Sequence, residues 1–290
     1  MSAQLAGRRV LVTGAARGIG AATAKRLHAR GARLVLAGIE PEVLARTAAE
    51  CGDALAVVCD VRDREQVEAA VEAAGEHLGG LDVVVANAGV AAQLPLVGGD
   101  PRVFEQTIEV NLLGVYYTLR AAGAYIAHER GYALAISSLA AALHTPLLGA
   151  YAASKAGVEA LADALRIELH ASGARVGVAY FAELDTDMVR RGFGTAAARQ
   201  LGETPGGSRR VASLETGIDA IERGIARRSR HVVAPRWVGP LLPIRMLAQR
   251  AIDLATRAQI QSVLETARAE DAPLTTPQPA VAPDWRGARQ

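Results

Sequence analysis

Val10-Leu-Val-Thr-Gly-Ala-Ala-Arg-Gly-Ile-Gly20 decides how the chain is read. Val10 to Thr13 is a short, β-branched apolar run of the kind that forms a buried strand. Three glycines follow, and from Gly18 to Arg30 the apolar residues recur at helical spacing. A strand that passes through glycines into a helix start can cradle a diphosphate. Gly14 can take a backbone conformation that a side chain forbids. Gly18 and Gly20 let the helix approach the phosphates, whose charge the free N–H groups and the helix dipole stabilise. A tight turn with no ligand would use the same glycines. The spacing Gly-x3-Gly-x-Gly also differs from the GxGxxG of most dinucleotide sites.

Outward from this turn, strands and helices alternate. Strands are expected at Arg33–Ala37, Ala54–Val58, Leu81–Ala86, Leu134–Ser137, Arg175–Tyr180 and His231–Ala234. Helices are expected at Pro41–Cys51, Asp63–Leu78, Glu105–His128 and Tyr151–His170. Val83-Val84-Val85 is apolar on both faces, as a strand covered on both sides should be. The pattern predicts an α/β fold, a doubly wound parallel sheet of about seven strands of Rossmann type, with right-handed crossovers. Residues 1–236 form the expected dinucleotide-binding domain. Residues 237–270 form a helical extension packed on it, with apolar positions such as Leu242, Met246, Leu254 and Leu264 among arginines. Residues 271–290 are proline-rich and read as a disordered or loosely attached tail.

The 32 basic and 30 acidic residues nearly cancel, which argues against nucleic acid as a partner. Cys51 and Cys59 lie in no CxxC or histidine pattern, so neither a disulfide nor a metal site is expected. The start of the chain has no apolar core of a signal peptide, and no long uncharged apolar stretch occurs, so a cytoplasmic location is expected.

Two further groups carry chemistry. Tyr151-Ala-Ala-Ser-Lys155 begins a predicted helix, and this spacing puts phenol and ammonium on one face. A free phenol has a pKa near 10, and a neighbouring cation should lower it toward a working range for acid–base chemistry. An ordinary surface Tyr/Lys pair has the same spacing. Ser138 ends the preceding strand, and strand ends in open parallel sheets face the crevice where ligands bind. It could hold a substrate oxygen or simply cap a turn, while Ser137 should point to the other face.

Together these stretches resemble the short-chain dehydrogenase/reductase family over roughly residues 5–235. Thr13-Gly14, with Gly18-Ile19-Gly20, is similar to that family's cofactor turn; Asp60-Val61 to its adenine contact; Asn87-Ala88-Gly89 to the tripeptide ending its fourth strand. The resemblance implies an NAD(P)-dependent oxidoreductase acting on an alcohol or carbonyl compound, with Asn111, Ser138, Tyr151 and Lys155 as the catalytic tetrad. Asn111 would hold a water that links Lys155 to solvent, Tyr151 would exchange the proton, Ser138 would steady the oxygen, and Lys155 would grip the nicotinamide ribose and, with the positive nicotinamide ring, lower the Tyr151 pKa. Thr186 would touch the nicotinamide amide, although Phe181-Ala182 replaces the usual Pro-Gly before it.

Gly38 stands where an NAD-specific acid would be, and Arg17 could pair with a 2′-phosphate, which tilts the cofactor toward NADP. If Glu40 reaches the ribose, NAD returns. The stretch Leu139–Leu148 is apolar apart from His144 and suits a lipophilic substrate. Residues Gly192–Ser208 read as a lid. The resemblance also implies a homodimer or homotetramer built on the two long helices. The extension is read as a cover for the pocket or for a subunit interface, with a membrane-surface helix as the alternative. The rival to the enzyme is a nucleotide-sensing regulator on the same fold, which would be expected to lack Tyr151 or Lys155.

Overall fold

A computed structural model of the chain describes residues 2–192, 195–202, 211–270 and 274. Seven strands form one sheet: β1 (Arg9–Thr13), β2 (Arg33–Gly38), β3 (Leu55–Val58), β4 (Val83–Ala86), β5 (Tyr132–Ile136), β6 (Arg175–Phe181) and β7 (His231–Ala234). Their order is β3-β2-β1-β4-β5-β6-β7, and every pairing is parallel. The doubly wound sheet read from the sequence is the sheet that forms.

Period-two alternation sorts the strand side chains to two covered faces. Val10, Val12, Leu34, Leu36 and Val85 pack with Leu27, Leu44, Ile218 and Ile221. Leu11, Val35, Val84, Ala133 and Val178 pack with Val67, Val71, Val115, Leu119 and Val158 on the other side. Local signals set the helix ends. Asp63 caps the helix Arg64–Leu78 by accepting from the N–H groups of Glu65 and Gln66, and Gly79 closes it at φ 72°. The sheet order reverses direction between β1 and β4, so a crevice opens at the carboxyl ends of those two strands.

The expected helix Glu105–His128 differs in detail. It begins earlier, because Asp100 caps it and Pro101 suits its first position. It then divides into Pro101–Ile108 and Gly114–Gly123 around a π-helical turn at Glu109–Leu113. Such turns admit an extra residue and collect at functional sites. The C-terminal extension is also subdivided, into helices Val238–Leu241, Arg245–Thr256 and Ile260–Ala269. Pro243 separates the first two, since it cannot continue the ladder.

Of the expected lid, residues 193, 194 and 203–208 lie outside the described residues; within it is the helix Ala196–Gly202. The expected tail also lies outside them except for Leu274, which packs against the second core cluster. Both cysteines are free and buried. Among the described residues, no helix is long and apolar enough to cross a membrane.

Candidate active site

Two glycines of the first turn are required by packing and the third by its backbone. A Cβ on Gly14, whose φ is +62°, would lie 2.7 Å from the Ala88 Cα, and one on Gly20 would lie 2.3 Å from the Gly14 oxygen. Gly18 has φ +57° and faces open space on the crevice side, with nothing within 4 Å of a built Cβ. That combination leaves the room and the exposed helix start that a diphosphate needs.

Thr13 and Asn87 build the cradle by binding each other's backbones. The Thr13 hydroxyl accepts from the N–H groups of Asn87 (3.0 Å) and Ala88 (3.3 Å). The Asn87 amide donates to the carbonyls of Thr13 (2.9 Å) and Gly14 (3.2 Å). Strand ends β1 and β4 are thereby fastened at the sheet's switch point. Ile19 turns away from the crevice and packs on the first core cluster.

At the end of β3, the Asp60 carboxylate is held by Arg62 from both its backbone N–H (3.0 Å) and its guanidinium (2.7 Å). Arg62 is only 2% exposed, so this pair is rigid. Val61 is buried against the backbone of Gly114, where a Cβ would meet it at 2.7 Å. Nothing in the order of residues marks Arg62 as buried. Its neighbour two positions back, an aspartate able to take a bidentate arginine, was the available signal.

Arg17 is engaged as well. Its Nε donates to Glu40 Oε2 at 2.7 Å, and a second contact joins its terminal nitrogen to Oε1. The sequence offered these two residues as separate arguments about the cofactor; the structure joins them.

The helix Gly149–Glu168 carries Tyr151 and Lys155 toward the end of β5, where Ser138 stands. Lys155 Nζ lies 5.6 Å from the centre of the Tyr151 ring and donates to the Ile136 carbonyl at 2.9 Å. Ser137 faces the opposite way, as the strand alternation requires, and its hydroxyl donates to the Lys155 carbonyl at 2.9 Å. Ser138 takes the capping role. Its oxygen accepts from the Ala140 N–H at 3.1 Å, capping the short turn Leu139–Ala141, its hydroxyl donates to the Phe181 carbonyl at 3.3 Å, and it stands close to the Tyr151 phenol.

Burial dominates the titration of this pair. It pushes the Tyr151 phenol above its ordinary value, with the Ser138 bond pulling the other way. It brings the Lys155 ammonium down to about 8. Burial thus favours the neutral phenol, and the cations expected to lower its pKa act against that burial.

Asn111 sits in the π-helical turn, fully buried. Its Oδ1 accepts from the Val90 N–H at 2.8 Å; its amide donates to the Val90 carbonyl at 2.9 Å and to the Ser154 hydroxyl at 3.1 Å. The carboxamide is engaged by protein groups, and it ties the chain after β4 to the Tyr151 helix. Gly89 completes this corner: a Cβ there would lie 3.2 Å from Asn111 Oδ1 and 3.5 Å from Lys155 Nζ. Thr186 is buried, and its hydroxyl accepts from the Val189 N–H at 3.3 Å at the start of Asp187–Gly192. Phe181-Ala182 continues the strand here, with the Ala182 N–H donating to the Ala234 carbonyl at 2.9 Å.

On the substrate side, Ala141, Ala142 and Leu147 are buried. Leu147, Ala197 and Val263 form a small apolar cluster that joins the helix Ala196–Gly202 to the extension. Glu270 accepts from the N–H groups of Ala196 (2.5 Å) and Ala197 (3.0 Å), capping that helix from the far end of the described chain. Gln249 exchanges hydrogen bonds with the backbone of His144 at 2.7 and 2.9 Å. No local sequence signal pointed to Glu270 or Gln249.

Comparison with known proteins agrees with this geometry. The family described as short chain dehydrogenase matches residues 8–204. Glycine betaine reductase ATRR of Emericella nidulans is 36% identical over 207 residues, 70% of this chain, although the match spans only 16% of that longer protein. The 11-beta-hydroxysteroid dehydrogenase-like protein 6 of Arabidopsis thaliana is 31% identical over 88% of this chain and 78% of its own length. A crystal structure of a dehydrogenase/reductase from Sinorhizobium meliloti 1021 superposes with a TM-score of 0.71 at 28% identity, covering 80% of this chain and 96% of that one.

Proposed function

The chain belongs to the short chain dehydrogenase family and is an oxidoreductase, and from that premise we propose that it acts on an alcohol–carbonyl pair at Ser138, Tyr151 and Lys155 with a nicotinamide dinucleotide. The observation that carries this is the meeting of Tyr151, Ser138 and Lys155 at the end of β5, beside a glycine cradle open to a diphosphate. The nicotinamide, when bound, supplies or accepts the hydride, and its oxidised ring adds a positive charge to the site.

In the reducing direction, Tyr151 gives its proton to the substrate oxygen as charge develops there. Its raised pKa keeps it protonated and ready to donate. Ser138 holds the same oxygen with its hydroxyl. In the oxidising direction the phenolate is needed, and Lys155 together with the positive ring must favour it. Asn111 acts on this centre by positioning: it locks the Tyr151 helix to the segment that carries Gly89. The cofactor's binding groups are the turn Thr13–Gly20 with Arg17, Asp60 and Val61, Asn87 to Gly89, Tyr151, Lys155 and Thr186.

The Arg17–Glu40 pair bears on the choice of cofactor. An NADP phosphate must displace Glu40 and then face its carboxylate, whereas the hydroxyls of NAD meet an acceptor already in place. The tilt toward NADP that Arg17 gave is thus withdrawn, and NAD is the reading the pair supports. The stretch Leu139–Leu148, apolar apart from His144, with a relative named for a hydroxysteroid, supports a lipophilic alcohol or ketone. A cytoplasmic homo-oligomer completes the reading; Arg245–Thr256 stands beside one of its two expected interface helices, through Arg245 and Glu159.

The test is oxidation of NADH and NADPH by purified protein across a panel of apolar ketones, with Tyr151→Phe as control. Turnover that the substitution abolishes supports the proposal. Tight nucleotide binding without turnover would replace it with a sensing role.

A further inference from the structure

The helix Arg245–Thr256 leaves its larger apolar residues outside. The side toward the body carries Gln249, bound to the backbone of His144, Arg245, bound to Glu159, and the half-buried Ala248, Ile252 and Thr256. The other side faces outward. Met246, Leu247 and Leu254 are 82%, 68% and 71% exposed, and the helix has no buried residue. A surface helix normally turns such residues to the core. Leu247, Arg250, Leu254 and Arg257 follow one another at helical spacing and share this outward side. Ile244 and Trp237, each about half exposed, extend the same end of the extension.

This segment is net basic. Between residues 236 and 257 stand Arg236, Arg245, Arg250 and Arg257 against Asp253 alone, and Asp253 accepts from Gln249 at 2.8 Å. We propose that this face docks on an anionic lipid surface, lying in the headgroup plane, with Met246, Leu247 and Leu254 inserted and Arg250 and Arg257 at the phosphates. No described helix could cross the bilayer, so the contact is with its surface. A second copy of the chain fits less well, because a two-fold contact would set Arg250 and Arg257 against their own counterparts. The next helix, Ile260–Ala269, holds the segment Ala196–Gly202 on the substrate side. Docking would therefore bring that side to the membrane, where apolar molecules collect. The docking claim does not depend on the activity proposed above.

The test is co-sedimentation of the full chain with phosphatidylcholine vesicles, with and without phosphatidylserine, followed also by the fluorescence of Trp237 in a Trp285→Phe background. Binding is expected to be about tenfold or more tighter to the phosphatidylserine vesicles and to be lost in high salt. Leu247→Gln with Leu254→Gln, and separately Arg250→Gln with Arg257→Gln, should each weaken it about tenfold while leaving the melting temperature and NADH binding unchanged. Absence of binding by the full chain overturns the proposal, as does binding that ignores both pairs. A dimer seen by light scattering and dissolved by the leucine pair would assign the face to a second copy. Binding that appears only in a chain ending at Glu270 would assign it to the tail.

Discussion

Arg17 and Glu40 close a two-point ion pair between the glycine turn and the residues just past β2, with Nε and Oε2 2.7 Å apart. Each is the other's partner before any nucleotide arrives. Glu40→Gln frees the guanidinium and removes the repelling carboxylate. The ratio of NADPH to NADH affinity should rise about tenfold, or 1.4 kcal/mol. Fluorescence titration with both nucleotides measures it, and an unchanged ratio would remove the pair from cofactor choice.

Lys155 should cost the fold stability at neutral pH. Burial lowers its pKa to about 8 from the model-compound value of 10.5. Below about 8 both folded and unfolded chains carry the proton, and the cost is constant. Between 8 and 10.5 the unfolded chain binds more protons, so stability rises with pH across that window. Lys155→Met removes a burial cost of about 3 kcal/mol and leaves the Ile136 carbonyl unpaired at about 1 kcal/mol. The variant should be more stable by about 2 kcal/mol at pH 7, lose turnover, and lose its advantage by pH 10.5. Denaturant titrations at several pH values give the answer.

Asn111→Ala should destabilise the protein by about 2–4 kcal/mol, because it strands both backbone groups of Val90 in a dry site. Asn111→Asp should also destabilise, since a carboxylate cannot donate to the Val90 carbonyl. If Asn111 served only solvent, both variants would keep their melting temperature and lose only activity.

Gly14→Ala and Gly18→Ala should separate folding from binding. Both positions have positive φ, but only at Gly14 does a Cβ strike backbone, at 2.7 Å. Gly14→Ala should fail to fold or unfold at markedly lower temperature. Gly18→Ala should lose only about 1 kcal/mol, yet bind dinucleotide at least about tenfold more weakly, because its methyl fills the space left for the phosphates. Calorimetry paired with nucleotide titration distinguishes the two outcomes.

The seven strands were legible because each announces itself within a few residues, by an apolar run and a turn after it. The Tyr151–Lys155 spacing and the place of Ser138 were legible for the same reason: helix and strand periods fix them locally. What could not be read depends on which distant backbones become neighbours. The π-helical turn exists where Asn111 reaches Val90 and Ser154, and neither partner is near it in the chain. The raised phenol pKa follows from the groups that the fold packs around the half-buried Tyr151, which no four-residue spacing reveals. Arg17 and Glu40 were each noticed, but their pairing depends on how closely the turn after β1 approaches the end of β2.

The cap that Glu270 places on Ala196–Gly202 has an evolutionary consequence. The family match ends at residue 204, whereas Glu270 and Val263, which hold the substrate-side segment, lie well beyond it. The family's shared stretch thus holds the segment Ala196–Gly202, while the groups that anchor it stand outside that stretch. Exchange or trimming of this C-terminal stretch would therefore loosen Ala196–Gly202 without touching the residues at the end of β5, so likeness over the first two hundred residues does not carry the anchoring with it.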